Sequence, residues 1–183
     1  MLSFFKNKDL SINVDTTYCI IVDQSRNPSF YKELLVPDNI DGRFDVLTLH
    51  MFFIFSRLKK EEQKAAQFSQ LLFDTMFVDM DQSLREMGVG DLSVGKRVKD
   101  MGKALLGRVE VYDRAFEGAD SEIEASIVRN IYRGDRTRLR EVKRLLDYSK
   151  RTIRELAATP TEDILEANFK FAEVILYKIK ATK

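Results

Sequence analysis

Cysteine and histidine are almost absent from this sequence of 183 residues, which contains one of each, Cys19 and His50. A lone cysteine excludes an intramolecular disulfide and is typical of proteins from a reducing compartment. With a single histidine besides, the sequence offers few ways to build a zinc site or a catalytic site. We therefore expect no catalytic residue, no metal and no bound cofactor.

Proline, glycine, net charge and long apolar runs are also scarce. Three prolines and eight glycines leave few positions that interrupt helices, and a formal net charge of +1 gives no overall field that would favour DNA. The most apolar stretch, 46–55, contains Thr48 and His50 and is much shorter than the roughly 20 residues of a membrane span. The abundant features are charged residues, 32%, and hydrophobic residues, 44%, which are typical of an ordinary soluble helical protein.

Apolar side chains recur at helical spacing along most of the chain. The helices predicted from this spacing and from proline and glycine positions cover 29–35, 41–60, 62–87, 122–132, 136–158 and 163–180, and a further helix follows an N-cap at Asp91 or Ser93 and ends at Gly118. Residues 15–23 fit a helix or a strand, and the context favours a helix. We predict an all-α fold, a single-domain bundle of about six to eight helices. Its parts are an N-terminal segment (1–17), a helical domain (18–158) and a C-terminal helix within 159–183 that packs on that domain.

The helix predicted for 41–60 is apolar almost all round. Phe44, Met51 and Leu58 belong to one stripe, while Phe52 and Phe53 cover much of the remaining surface. Such a helix lies at the centre of a core or carries a docking face on its second side. The core is the commoner arrangement. The excess of apolar residues nevertheless makes Phe52 and Phe53 candidate partner-binding residues.

Residues 90–96 spell G-x-x-x-x-G-K, which imitates a phosphate-binding loop. Arg97 stands where such a loop has the Ser or Thr that holds magnesium, and helically spaced residues precede the loop where a buried strand is needed. The stretch therefore predicts a corner between two helices. Gly95 and Gly102, which share one side of the following helix, are expected to let a neighbouring helix approach closely.

Carboxylates gather near this corner, and Asp81 and Arg85 form a favourable i,i+4 pair. A carboxylate metal site, and with it a helical metalloenzyme, is one alternative for Asp74, Asp81 and their neighbours. Helical di-iron sites use Glu-x-x-His pairs, which are absent here, so a polar network that fixes the corner is favoured. For His50, a core or interfacial position is favoured over a role as general base.

Basic residues dominate the segment 129–154. An apolar stripe through Leu139, Val142 and Leu146 predicts one buried face, so a positive flank is expected to face outward. The members of this basic surface are Arg136, Arg140, Lys143, Arg144, Arg151 and Arg154. A solvated face explains such a flank as well as anionic lipid, ribosomal RNA or an acidic partner does.

Several short motifs follow one another between residues 18 and 116. They are Arg26-Asn27-Pro28-Ser29-Phe30-Tyr31, Val36-Pro37-Asp38, Asp41-Gly42-Arg43-Phe44-Asp45, Leu49-His50, Leu72-Phe73-Asp74, Phe77, the corner 79–94 with Lys96-Arg97, Gly107-Arg108 and Tyr112. In this order they resemble the ubiquinol–cytochrome c chaperone family, assembly factors of the respiratory cytochrome bc complex.

The resemblance implies an all-helical, non-enzymatic chaperone that binds newly made cytochrome b. It implies two further contacts, with a second, smaller assembly chaperone and with the ribosome. Mitochondrial members carry an extended presequence that we do not find here. The chain therefore looks like a bacterial member, in the cytoplasm or at the cytoplasmic face of the inner membrane; a eukaryotic member would lie in the mitochondrial matrix.

The motif residues are candidates for a polar set that contacts a partner or sets the conformation. They are Asn27, Pro28, Phe30, Tyr31, Arg43, Asp45, His50, Asp81, Arg85, Glu86 and Asp91. Two other functions remain open from the residues alone. One is a module that binds ribosomal RNA or an anionic membrane through the segment 129–154, and the other is the metalloenzyme.

Overall fold

The computed structural model describes residues 2–59, 61 and 63–175, with side chains from residue 9 onward. The helices in these ranges are α1 (Leu2–Ser25), α2 (Pro28–Lys32), α3 (Ile40–Leu58), α4 (Gln63–Glu86), α5 (Asp91–Glu117), α6 (Asp120–Asn130), α7 (Leu139–Ala158) and α8 (Thr161–Leu165). The described ranges contain no strand, and the predicted all-α fold is confirmed.

Helix α3 lies at the centre of the bundle and packs against α1, α4, α5 and α7. Because it is surrounded, it needs apolar side chains on every side, which explains its composition. Phe52 and Phe53 are 0% and 1% exposed, and Phe52 packs against Tyr112 with ring centroids 5.3 Å apart. The structure therefore places both residues in the core and leaves no docking face on them.

The ends of the helices follow local chemistry. Pro28 occupies the first turn of α2, where its missing N–H costs nothing, and the side-chain oxygen of Asn27 accepts a hydrogen bond from the Ser29 N–H at 2.9 Å. Asn39 caps α3 in the same way through the N–H of Gly42. A Cβ at Gly42 would lie 1.9 Å from the Pro37 carbonyl oxygen, so only glycine fits beneath that loop.

The first helix is longer than predicted. We expected a helix at 15–23 after a separate N-terminal segment, whereas α1 extends from Leu2 to Ser25. Val14, Thr17, Tyr18 and Ile21 recur at steps of three and four and are all buried, which anchors the helix against α3 and α4. Residues 2–17 therefore belong to the same bundle.

The predicted C-terminal helix is wrong for most of its length. Helix α8 ends at Leu165, and residues 166–175, which we call the C-terminal strap, are not helical; 176–180 lie outside the described residues. Ala167 has φ 60°, and the Asn168 N–H donates to the Asp163 carbonyl at 2.7 Å, which closes the last turn. Side chains of α1 and α7 then bind the strap's carbonyls, so tertiary contacts override helix propensity.

Candidate partner-binding site

The G-x-x-x-x-G-K stretch forms the corner between α4 and α5. A helix precedes it, and all of its residues from Asp91 onward lie inside α5, so it has no phosphate-binding loop. Arg85 closes the corner, with Nε 2.6 Å from Asp81 Oδ2 and Nη1 2.6 Å from Asp91 Oδ1. Glu86 instead accepts a hydrogen bond from Gln82. The corner is thus held by an exposed polar network centred on Arg85.

The carboxylates near this corner accept hydrogen bonds from different residues and do not face one another. Asp74 accepts a hydrogen bond from Gln70 at 2.9 Å, and Asp79 accepts one from the Tyr18 hydroxyl at 2.8 Å. Within the described ranges, no group of three or more His, Cys, Asp and Glu side chains is placed to hold a metal ion. The geometry gives the metalloenzyme alternative no support.

Asp45 joins three parts of the chain from the interior. Its carboxylate is fully buried on α3, with Oδ1 2.6 Å from Arg108 Nη2 on α5 and Oδ2 3.1 Å from Arg133 Nη2. Burial raises the pKa of Asp45 to about 6, although the two guanidinium groups oppose the change. Arg133 makes this contact with its backbone in the left-handed region, φ 51°, a strained conformation for a residue other than glycine that the surrounding contacts must stabilise. Asp45 is an internal brace and is not accessible to a partner.

His50 is also buried, in a chain of hydrogen bonds. Its Nδ1 lies 2.8 Å from the Val46 carbonyl oxygen and its Nε2 lies 2.6 Å from the Tyr148 hydroxyl. Because a carbonyl only accepts, Nδ1 carries the proton, and Nε2 accepts from Tyr148, which in turn accepts from Gln24 Nε2 at 3.0 Å. Burial lowers the pKa of His50 to about 4, so the ring is neutral at neutral pH.

The motif around α2 is divided between core and surface. Phe30 is fully buried and packs edge-on against His50 and Tyr148, with ring centroids 5.3 and 5.2 Å away. The Tyr31 hydroxyl donates to the Ser25 carbonyl at 2.6 Å, and the guanidinium of Arg43 lies 5.4 Å from the Tyr31 ring centroid. Of these predicted contact residues, Pro28 and Arg43 are exposed, Tyr31 is half-buried and Phe30 lies in the core.

An apolar groove of ≈330 Å³ opens beside Arg43, between α1, α3, α4 and α5. We call it the methionine groove; its apolar lining includes Ile40, Leu47, Met80, Met87 and Met101, and the exposed Arg26 and Arg43 also line it. Ile40 and Met87 remain 53% and 52% exposed. Flexible, polarisable methionine side chains adapt to different apolar ligands. This groove is the best candidate for a partner-binding site.

Sequence reasoning identified only Arg43 among the groove residues. Ile40, Met87 and Met101 carry no such signal individually, and Arg26 stands only as the first residue of the Arg26–Tyr31 motif. The available signal was the apolar stripe of α4, which continues past Leu84 to Met87, the first residue after the helix. An apolar stripe that continues beyond the core indicates an exposed apolar surface.

The basic segment has two roles in the structure. Arg144 donates to the carbonyls of Glu33 and Ile175, and Arg151 donates to the Glu173 carbonyl while pairing with Asp147 at 3.1 Å. These two side chains therefore hold the molecule together. Four exposed cations form no side-chain ion pair within the described part of the chain: Arg136, Arg140, Lys143 and Arg154.

None of the helices in the described ranges combines the length and apolar character that crossing a membrane requires.

A protein-family model described as ubiquinol-cytochrome C chaperone matches residues 32–171. That range begins in α2, contains the methionine groove residues from Ile40 to Met101, and ends in the C-terminal strap.

Three curated relatives match most of the chain. Ubiquinol-cytochrome-c reductase complex assembly factor 1 of Xenopus laevis is 21% identical over 81% of this chain and 74% of its own length. The Homo sapiens protein of that name is 22% identical over 81% of this chain and 50% of its own. Protein CBP3, mitochondrial, of Saccharomyces cerevisiae is 27% identical over 78% and 44%. The chain thus spans about half the length of the human and yeast relatives.

A solved structure has the same fold. The crystal structure of the Cbp3 homolog from Brucella abortus superimposes with a TM-score of 0.84 and 30% sequence identity, over 94% of this chain and 96% of that one. The likeness therefore includes the whole helical bundle.

Proposed function

Because this chain belongs to the ubiquinol-cytochrome C chaperone family, we propose that it is a non-enzymatic assembly chaperone of ubiquinol–cytochrome c reductase, with newly made cytochrome b as its client. The family match over residues 32–171 carries the assembly role, and the names of the Xenopus and human relatives support it. The cytochrome b client follows from the resemblance of the motifs between residues 18 and 116.

The methionine groove supports a hydrophobic client. A membrane subunit in assembly exposes apolar helices that need temporary cover, and an amphipathic or apolar helix binds a partner by placing spaced side chains in such a groove. Met80, Met87 and Met101 let the groove adapt to more than one side chain. The exposed Arg26 beside it suits a client segment that carries a carboxylate, whereas Arg43 already pairs with Asp38 at 2.7 Å and Asp79 also lines the groove.

The four exposed cations Arg136, Arg140, Lys143 and Arg154 support a second contact, with an anionic membrane surface or the ribosome where the client emerges. Such a contact fits a bacterial member at the cytoplasmic face of the inner membrane. A second assembly chaperone is the remaining partner of this proposal. It requires no catalytic group, metal or cofactor.

The test is a crosslinking pull-down of tagged full-length protein from membranes of respiring cells, comparing Met87→Asp with Val78→Asp. Val78 lies on α4 and Met87 directly follows that helix; they are 69% and 52% exposed, but only Met87 lines the groove. We expect Met87→Asp to reduce cytochrome b recovery by roughly tenfold, because a carboxylate would be desolvated in an apolar contact. Val78→Asp should recover as much cytochrome b as the unmodified protein.

Equal recovery with both variants would show that the methionine groove is not the client site. Recovery of ribosomal proteins or RNA without cytochrome b would favour the alternative function of the basic surface. In that case charge reversal at Arg140 and Lys143 should abolish the salt-sensitive part of the recovery.

A further inference from the structure

Three side chains of α1 and α7 bind main-chain carbonyls of the C-terminal strap. Gln24 Nε2 donates to the Ala172 carbonyl at 3.4 Å, Arg151 Nη2 to that of Glu173 at 2.9 Å, and Arg144 Nη2 to that of Ile175 at 3.4 Å. Among the described residues, the N–H groups of 169–175 donate to no protein acceptor. Contacts of this kind recognise an extended backbone and are indifferent to most side chains.

Apolar side chains supply the rest of the contact: Phe171 and Ala172 lie in the core, and Phe169 and Val174 pack against it. Phe171 is 7% exposed and stands perpendicular to the His50 ring, with centroids 4.9 Å apart. Ala172 beside it is 1% exposed, whereas Lys170 and Glu173 on either side are exposed. The seat for Phe171 belongs to the aromatic cluster that also contains Phe30 and Tyr148. The groove therefore selects an aromatic residue followed by a small one.

Each donor that binds the strap is also held by a second contact that does not involve the strap. Arg151 is oriented by Asp147 at 3.1 Å, and Arg144 by the carbonyl of Glu33 at 3.1 Å. Gln24 is held through Tyr148 in the hydrogen-bond chain of His50. Preorganised donors over an apolar seat make a built site for an extended peptide.

We infer that the groove between α1, α3 and α7 is a second protein-binding site, for an extended segment of another polypeptide with an aromatic–small residue pair. The strap fills this site as an intramolecular competitor. Because it is tethered, the strap acts at a high effective concentration, so a partner segment binds only when it outcompetes the strap. The site is separate from the methionine groove, and its existence does not depend on the cytochrome b client.

The experiment uses a fluorescent synthetic peptide that copies residues 166–175 and measures its anisotropy with full-length protein. Phe171→Ala, which weakens the tethered competitor, should bind the peptide roughly tenfold or more tightly than the unmodified protein does. Lys170→Ala, at the exposed neighbouring position, is the matched control and should behave like the unmodified protein. A peptide with altered flanks that keeps the Phe-Ala pair should still bind, and one with Asp in place of that Phe should not.

Arg151→Ala in the Phe171→Ala background should weaken peptide binding again. Folded Phe171→Ala protein that ignores the peptide would overturn the inference, as would equal binding by the unmodified protein. Limited proteolysis of the unmodified protein gives an independent check: cleavage within 166–175 should precede cleavage within α3 and α7. Cleavage of all three only together, by global unfolding, would show that the strap is a permanent part of the core.

Discussion

Gly95 and Gly102 lie on the same helix, α5, in opposite surroundings. A Cβ built at Gly102 would lie 2.5 Å from Cζ and 2.7 Å from Cε1 of Phe77 on α4, whereas one built at Gly95 meets nothing within 4 Å. The expected close approach of a neighbouring helix is therefore found at Gly102 and not at Gly95. The same substitution at the two positions should have opposite effects on stability.

Gly95→Ala should raise the free energy of unfolding by about 0.5–1 kcal/mol, because alanine restricts the unfolded chain and favours the helix. Gly102→Ala has the same gain, but it must move the Phe77 ring, which packs against Phe73 with centroids 4.5 Å apart. Overpacking of this kind costs about 1–3 kcal/mol. The net effect at Gly102 is a destabilisation of up to about 2 kcal/mol.

Urea unfolding followed by circular dichroism measures both variants against the unmodified protein. Phe77→Leu, alone and combined with Gly102→Ala, completes a double-mutant cycle that isolates the contact between the two positions. If Gly102→Ala stabilises the protein as much as Gly95→Ala does, the ring of Phe77 yields freely and the reasoning is refuted. A cycle with no coupling energy would refute it equally.

Two further predictions concern buried charge and helix ends. The pKa of His50 is lowered from 6.5 to about 4 by folding, so the unfolded chain binds the proton first and stability falls as the pH drops from 6.5 to 4. The pKa of Asp45 is raised from 3.8 to about 6, so the folded protein binds the proton first and stability rises as the pH drops from 6 to 3.8. In Asp45→Asn the free energy of unfolding should therefore fall more steeply as the pH drops, by up to about 1.4 kcal/mol per pH unit. Urea unfolding at several pH values measures this, and the same pH dependence in the variant and the unmodified protein would contradict it. Arg57 donates hydrogen bonds to the carbonyls of Leu156 and Thr159 at the end of α7. Arg57→Met should therefore lower the free energy of unfolding by about 2 kcal/mol. Arg57→Lys should lower it by less, because an ammonium group can replace only part of the planar guanidinium's hydrogen bonds. Equal unfolding midpoints for the Met and Lys variants would count against that role.

Local signals predicted the order of the helices well. Asn27 and Pro28 start α2, Gly118 ends α5, and Gly134 separates α6 from α7 with φ 88°, each by chemistry that one or two residues determine. The C-terminal strap could not be predicted in this way. Its sequence has apolar residues compatible with a helix, but its path depends on Gln24, Arg144 and Arg151, which precede it by 22 to 148 residues.

The candidate site was predictable only in part for the same reason. Arg43 lies in a recognisable motif, but the groove beside it forms where the ends of two apolar stripes meet the start of α3. His50 was expected in a core or interface, and its hydrogen-bond partner Tyr148 is 98 residues away. No spacing rule connects residues at that separation, so the pairing had to come from the folded structure.

The buried imidazole of His50 also gives the protein a natural spectroscopic reporter. The chain has one histidine, and the hydrogen bonds to Val46 and Tyr148 hold it as a single neutral tautomer, so its Nδ1–H proton should give one slowly exchanging NMR signal that needs no assignment by mutation. Phe171 stands over this ring, and an aromatic neighbour that leaves will change the ring-current shift of the signal. Whether the C-terminal strap occupies the groove between α1, α3 and α7 can therefore be followed in the unmodified protein, without a label.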